Sequence, residues 1–216
     1  MASGSATRPS SDQQQGRQGR HDATKESQPL LGQHGRIIQA PDTVRRMPIG
    51  LDADVRLRMA TALNQTLADT ITLYNLYKKH HWQVSGHTFY QLHLLFDKHA
   101  GEQLELVDLL AERVQLLGGV AVGMPHDVAE ATKIERPPKG AEEVPVMIDR
   151  LLAAHEVILR ECREQAQRSE EAGDLGTNDL LVSDMIRTNE LQVWFLAEHV
   201  VDSPATQAHD GGGIRR

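Results

Sequence analysis

Residues 80–119 read HHWQVSGHTFYQLHLLFDKHAGEQLELVDLLAERVQLLGG, which is the pattern of one long amphipathic helix between two glycine-containing turns. At about 100° per residue, one sector of this helix, between roughly −20° and 120° from Leu92, is apolar. Its members are Phe96, Ala100, Leu104, Val107, Leu110, Val114 and Leu117. The sequence predicts a helix over residues 89–117 that ends at Gly118-Gly119, since glycine commonly terminates helices.

A row of possible metal ligands follows one margin of this apolar face. His93, Asp97, Asp108 and Glu112 fall at roughly 100°, 140°, 160° and 200° on the same wheel. The pairs His93/Asp97 and Asp108/Glu112 are each one helical turn apart, so both members of a pair can bind one ion. Asp97 and Asp108, however, are separated by about 16 Å along the axis, and metal–ligand distances are about 2 Å. One ion therefore cannot use both pairs of a single chain.

A second copy of the helix, packed antiparallel across a two-fold axis, removes this obstacle. His93 and Asp97 of one chain then face Asp108 and Glu112 of the other, and each dimer has two equivalent sites. His81, near the end of the preceding helix, is a further candidate ligand across the short turn at residues 85–88. Imidazole and carboxylate together favour iron and other first-row divalent ions over a structural zinc site, which prefers thiolates.

The rest of the chain predicts three further long helices and no strands. The first runs from Asp52, a good N-cap residue, to about Val84. The third follows Gly140, and the fourth begins at residue 177 or 178 and ends near Val201. About 20 residues join the second and third helices and include a short helix at 125–130. The predicted fold is all-α, a ferritin-like four-helix bundle with a short helix in the long crossover.

The ends of the chain differ from this bundle in composition. Residues 1–48 are rich in Ser, Gln, Gly, Arg and Pro and predict a disordered basic arm. Residues 49–202 are assigned to the bundle and 203–216 to a flexible tail. Residues 1–50 carry seven Lys and Arg against four Asp and Glu, whereas the remainder carries 16 against 26. The candidate DNA-binding side chains are Arg8, Arg17, Arg20, Lys25, Arg36, Arg45 and Arg46.

Composition excludes several classes of protein. One cysteine, Cys162, rules out a disulfide-stapled fold, and no apolar run approaches the roughly 18 residues needed to span a bilayer. Because the N-terminus has no apolar signal region, we expect a cytoplasmic protein. His155 and Cys162 lie on the apolar stripe of the third helix and are expected in the core. His99 is expected at the surface or an interface, and His80 is expected to be a neighbour of the ligands.

Taken together, these residues resemble the Dps family, the miniferritins called DNA-binding proteins from starved cells. The resemblance covers about residues 51–202 and is strongest over residues 75–119. It is carried by His81-Trp82, His93, Asp97, Asp108, Glu112 and the Leu-Gly-Gly at 117–119, with Trp194-Phe195 near the end of the fourth helix.

The resemblance implies a hollow dodecamer with two-iron ferroxidase centres shared between two subunits. Such a cage oxidises Fe(II), preferably with hydrogen peroxide, stores the ferric product and protects DNA from oxidative damage. Trp82 corresponds to a tryptophan beside the centre that absorbs stray oxidising equivalents. DNA bound through the arm would associate the cytoplasmic cage with the nucleoid.

Two alternatives remain at this stage. An ordinary ferritin or bacterioferritin carries its di-iron site within one subunit and needs Glu-x-x-His on two helices. No Glu in this chain is followed by His three residues later, which argues against that class. The other alternative is a nucleoid-compacting, DNA-binding structural protein with little ferroxidase activity. It is weakened by the moderate charge of the arm and by the complete ligand set.

Overall fold

The computed structural model describes residues 30–33 and 35–201, and these contain helices and turns but no strand. The helices are α1 Ala53–Gln83, α2 Phe89–Leu116, α3 Pro125–Ala131, α4 Val144–Glu171, α5 Leu175–Asp179 and α6 Arg187–Ala197. A π-helical segment, Leu180–Ile186, joins α5 to α6, so the three form one continuous last helix. This is a four-helix bundle with α3 in the long crossover, and it confirms the all-α prediction.

The core lies between α1, α2, α4 and the last helix. Each helix turns one apolar stripe inward, as its 3–4 residue spacing predicts. The largest fully buried side chains of the core are Tyr77, Phe96, Leu63, Leu67, Leu73, Leu92, Leu110, Leu117, Met147, Ile148, Leu151 and Ile158. Cys162 and His155 are also buried, which confirms both predictions.

The prediction for His99 was wrong. Its side chain is buried, in contact with the rings of Tyr77 and Phe195. On the α2 wheel His99 falls at roughly −20°, inside the apolar sector that begins there. The position of His99 on the apolar face of α2 therefore determines its burial, although its side chain is polar.

The last helix begins earlier than the predicted residue 177 or 178. The side chain of Asp174 accepts a hydrogen bond from the backbone N–H of Thr177, 3.1 Å away, and so acts as the N-cap of α5. Arg113 of α2 forms an ion pair with the same carboxylate. The cap ties the start of the last helix to α2, and the sequence signal for it was the Gly173-Asp174 pair.

The segment before α1 packs against the C-terminal end of α2. The N–H of Arg45 donates to the carbonyl of Gly118 at 2.9 Å. The buried guanidinium of Arg56 donates to the carbonyls of Arg45, at 2.6 Å, and Leu117, at 2.9 Å. Gly118 is the centre of this junction. It has a φ of +84°, and an added Cβ would lie 2.6 Å from the carbonyl oxygen of Arg45.

We therefore expect Gly118→Ala to destabilise the fold more than a matched change elsewhere. Gly173 also has a positive φ, of 75°, but an added Cβ there meets nothing within 4 Å. Gly173→Ala should lower the free energy of unfolding only by the cost of the left-handed conformation, about 1 kcal/mol. Gly118→Ala should lower it by about 3 kcal/mol. Guanidinium unfolding followed by circular dichroism measures both variants. Equal losses would contradict the close packing at Gly118.

Candidate metal centre

His81 and His93 meet where the end of α1 faces the first turns of α2. The five-residue turn at 84–88 lets the helices reverse direction, so the two imidazoles stack with centroids 3.8 Å apart and planes 19° from parallel. Each ring nitrogen Nδ1 contacts the backbone carbonyl of the other residue. The distances are 2.8 Å from His81 Nδ1 and 2.9 Å from His93 Nδ1.

These reciprocal contacts determine where the hydrogens lie. A backbone carbonyl oxygen only accepts hydrogen bonds, so Nδ1 of both rings must carry the hydrogen. In a neutral imidazole the other nitrogen, Nε2, then holds the free lone pair, which is the form that binds a metal. The single chain therefore leaves Nε2 of His81 and of His93 free to bind a metal.

Asp97 is the third candidate ligand in this part of the chain. Its Oδ1 lies 3.9 Å from Nε2 of His81 and accepts a hydrogen bond from the ammonium of Lys78 at 2.6 Å. That hydrogen bond, with the nearby charge of Lys78, lowers the pKa of Asp97 below its ordinary value. The carboxylate is therefore ionised at neutral pH, as a metal ligand must be.

Lys78 was not identified in the sequence analysis. Its ammonium also lies 5.7 Å from the centroid of the Trp82 ring, a cation–π distance. Lys78 precedes His81 by three residues and Trp82 by four, so all three share one face of α1. This spacing could have identified Lys78 from the sequence. In this structure Lys78 supplies the positive charge beside Asp97.

Asp108 and Glu112 lie far from this cluster, further along α2. Both are exposed, and neither makes an ion pair or a side-chain hydrogen bond to any residue that the structure describes. Within residues 30–33 and 35–201, no three His, Cys, Asp or Glu side chains of one chain converge to hold a metal ion. The structure thus places His81 close to His93 and to Asp97, without a three-ligand site among the described residues of one chain. Trp82 lies beside Lys78, and Asp108 and Glu112 lie apart from all of these residues.

The face of α2 that carries these carboxylates also exposes large apolar side chains. Tyr90, Leu94, Leu104, Leu109 and Leu116 are each exposed. On the α2 wheel they fall between roughly 120° and 260°, the sector that also holds Asp97, Asp108 and Glu112. Trp82, at the end of α1, is also 72% exposed. Exposed apolar side chains in one continuous stripe are typical of a surface that binds another protein.

The predicted DNA-binding residues are only partly described by the structure. Arg36, Arg45 and Arg46 are exposed, although the backbone of Arg45 is held against Gly118. Arg8, Arg17, Arg20 and Lys25 lie outside the described residues. In the described part of the chain, no helix has the length and apolar character to cross a membrane.

Comparison with known proteins finds a matching family and similar structures. The family model for ferritin-like domains matches residues 60–204. DpsC from Streptomyces coelicolor is 62% identical, with a TM-score of 0.79 over 80% of this chain and 100% of that one. The DNA protection during starvation protein of Halobacterium salinarum is 32% identical over 71% of this chain and 81% of its own length.

A third similar protein belongs to a group defined by its metal chemistry. The Dps protein from Vibrio cholerae O1 is described as a member of a broad superfamily of ferritin-like diiron-carboxylate proteins. It is 28% identical, with a TM-score of 0.68 over 76% of this chain and 99% of that one.

Proposed function

The chain belongs to the Dps family of ferritin-like proteins, and from this premise we propose that it oxidises Fe(II) at centres shared between two subunits. The ferric product would be stored inside a closed homo-oligomeric cage, for which the family resemblance implies twelve subunits. The observation that carries the proposal is the division of the candidate ligands into two groups. His81, His93 and Asp97 lie near the turn between α1 and α2, and Asp108 and Glu112 lie further along the exposed, partly apolar face of α2.

A two-fold axis through this face assembles the centre. An antiparallel second copy of α2 would place its Asp108 and Glu112 opposite His81, His93 and Asp97 of the first, and the same contact repeats in reverse. Burial of the exposed leucines would supply the driving force for this contact. The carboxylates would be held at the interface by iron, which also offsets the cost of removing their charges from water.

Iron is the substrate of this centre, and each ligand type has a role in its oxidation. The Nε2 lone pairs of the two histidines and the carboxylates bind Fe(II), and the carboxylates favour the harder ferric ion that forms. Hydrogen peroxide accepts two electrons, one from each of two Fe(II) ions, and leaves two hydroxide ions. Two irons at one centre therefore reduce peroxide without releasing a hydroxyl radical, which protects nearby DNA.

The direct test begins with metal-free protein under anaerobic conditions. Fe(II) is added, then hydrogen peroxide, and the ferric absorbance and the iron retained per subunit are followed. We expect about two Fe(II) oxidised per peroxide and iron that elutes with a particle much larger than a monomer. A stable monomer in light scattering, or ferric iron that forms no faster than in buffer, would contradict the proposal.

DNA binding, where it occurs, is expected to belong to the N-terminal arm. Deletion of residues 1–36 removes five of the seven predicted basic contacts and leaves the segment that packs on Gly118. The truncated protein should lose DNA retention in a gel shift while its ferroxidase rate stays unchanged. Each phosphate contact contributes about −0.9 to the slope of log affinity against log salt, so a cage with several engaged arms should show a steep salt dependence.

The matched variant for this experiment is Arg45→Gln/Arg46→Gln, which removes two charges beside the bundle and keeps the arm. Equal retention by truncated and full-length cages would move DNA binding to the bundle or the C-terminal tail. No retention by either would leave an iron-handling cage. The nucleoid-compacting alternative requires full DNA retention together with ferroxidase activity near zero. A cage that binds DNA would act in the cytoplasm, at the nucleoid.

A further inference from the structure

A chain of hydrogen-bonded side chains crosses the bundle core, one helical turn from His81, and takes no part in holding iron. Its centre is Tyr77 of α1, which is fully buried. The phenol oxygen of Tyr77 lies 2.6 Å from Nε2 of His155, on α4, and 3.1 Å from Nδ1 of His99, on α2. Two neighbouring helices, α2 and α4, thus direct polar atoms at one hydroxyl of α1 inside an otherwise apolar core.

The direction of each hydrogen bond follows from the chemistry of its ends. Asn189 Nδ2 donates to the carbonyl of Met185 at 2.7 Å, so its Oδ1 is the atom 2.8 Å from Nδ1 of His155. An amide oxygen only accepts, so Nδ1 of His155 carries the hydrogen. Burial lowers the pKa of His155 to about 3, and the ring is neutral. Its Nε2 therefore holds a lone pair, and Tyr77 donates to it.

The chain continues to the surface. Gln103 Nε2 donates to Oδ1 of Asn189, 3.2 Å away, and to Oε1 of Gln192 at 2.9 Å. Gln192 Nε2 in turn donates to the carboxylate of Glu102 at 2.8 Å. Glu102 is partly exposed and is paired with Lys98. Burying so many polar groups is costly unless they are hydrogen-bonded to one another, and a phenylalanine at position 77 would need no such partners.

The position of Tyr77 connects this chain to the iron ligands. Tyr77 and His81 are separated by about 6 Å along α1. Phe96, the neighbour of Asp97 in the sequence, packs against Tyr77 with ring centroids 6.2 Å apart. Trp82 is exposed to solvent, whereas the Tyr77 ring is sealed from it. An electron can therefore reach the iron centre from Tyr77 over a short path through packed side chains.

We propose that Tyr77 is a one-electron donor to oxidants formed at the iron centre, with His155 as the base that takes its proton. This inference rests on the proposed ferroxidase function. When a single Fe(II) meets hydrogen peroxide, it loses one electron and yields Fe(III), hydroxide and a hydroxyl radical. The radical takes one electron from Tyr77 and becomes hydroxide. The phenolic proton moves 2.6 Å to Nε2 of His155, and a neutral tyrosyl radical remains.

The cycle closes with a second Fe(II). That ion gives one electron to the tyrosyl radical and becomes Fe(III), while the proton returns from His155 to the phenol oxygen. The sum is two Fe(II) oxidised and one peroxide reduced to two hydroxides, the same stoichiometry as the paired reaction. Tyr77 thus lets a centre that holds only one iron complete the reduction of peroxide without releasing a hydroxyl radical.

Electron paramagnetic resonance after rapid freezing tests this role. Metal-free cage is given one Fe(II) per centre and then hydrogen peroxide, in a Trp82→Phe/Trp194→Phe background that removes both indoles. We expect a tyrosyl radical that is lost in Tyr77→Phe and kept in Tyr74→Phe and Tyr90→Phe, the controls for the other two tyrosines. Iron oxidation without a tyrosyl radical, or a radical that survives Tyr77→Phe, would overturn the inference.

A second arm separates this inference from the ferroxidase proposal. Photogenerated ruthenium(III) tris-bipyridine oxidises the iron-free cage, so it needs no iron centre. The Tyr77 radical should form here too. Its paramagnetic resonance spectrum should show a coupling to an exchangeable proton that is hydrogen-bonded to the phenoxyl oxygen, and this coupling should change in deuterated buffer. His155→Gln still accepts the hydrogen bond but is not a base, and it should abolish the radical while circular dichroism stays unchanged. A protein without ferroxidase activity that still forms the Tyr77 radical on photo-oxidation would contradict the ferroxidase proposal alone. Absence of the Tyr77 radical, or of its proton couplings, in this arm would overturn the inference.

Discussion

Asp108→Asn/Glu112→Gln is expected to slow Fe(II) oxidation by about a hundredfold or more while the cage still assembles. Residues that merely orient a metal ligand cost about 10- to 100-fold when they are changed, and the two carboxylates here are proposed to bind iron directly. Both side chains are exposed in the single chain and make no hydrogen bond with any described residue. The amide replacements keep their volume, so the helix itself should not be affected.

The matched control removes two negative charges elsewhere on the bundle. Asp149 and Glu170 lie on α4, and both are exposed. Asp149→Asn/Glu170→Gln changes the net charge by the same amount but leaves the iron ligands in place, so its oxidation rate should match that of the unchanged protein. Stopped-flow absorbance of ferric iron at low Fe(II) measures both. Similar rates in the two double variants would show that Asp108 and Glu112 do not bind iron at the centre.

The sequence predicted the division of the candidate ligands into two groups because helical geometry is regular. A rise of about 1.5 Å per residue separates Asp97 from Asp108 in any undistorted helix, and the structure keeps α2 unbroken from Phe89 to Leu116. The separation of the four candidate positions along α2 could therefore be predicted from their spacing, and their role as iron ligands stays a prediction. The bundle followed for the same reason, because each long helix has its own apolar stripe.

The contacts between helices could not be predicted in this way. The stacking of His81 on His93, and the hydrogen positions that it determines, depend on how the turn at 84–88 brings two helix ends together. The ion pair of Lys78 with Asp97 also joins residues of two helices. The burial of His99 was readable from its angle on the wheel, but its partner Tyr77 lies on another helix. Periodicity locates a residue on its own helix and carries no information about the side chain opposite.

Restored activity in mixed assemblies is the second large effect that we expect. His93→Ala alone damages one half of every centre, and Asp108→Asn/Glu112→Gln damages the other half. In a dimer that pairs the two variants, one centre receives both lesions and the other receives neither. Random pairing of equal amounts makes half of the dimers mixed, so about a quarter of all centres should be intact. Each variant by itself should have almost none.

The control for this experiment pairs two lesions from the same half of the centre. His81→Ala mixed with His93→Ala places one damaged ligand in every centre, whichever subunits meet, so no activity should return. Both mixtures are prepared by dissociation and reassembly, and mass spectrometry of the cages confirms that the subunits have exchanged. A centre contained within one chain would give no rescue in either mixture, because each chain keeps its own lesion. Only a centre whose ligands come from two chains gives activity in the first mixture and none in the control. In the first mixture, the quarter of intact centres arises when His93 of one subunit meets Asp108 and Glu112 of another.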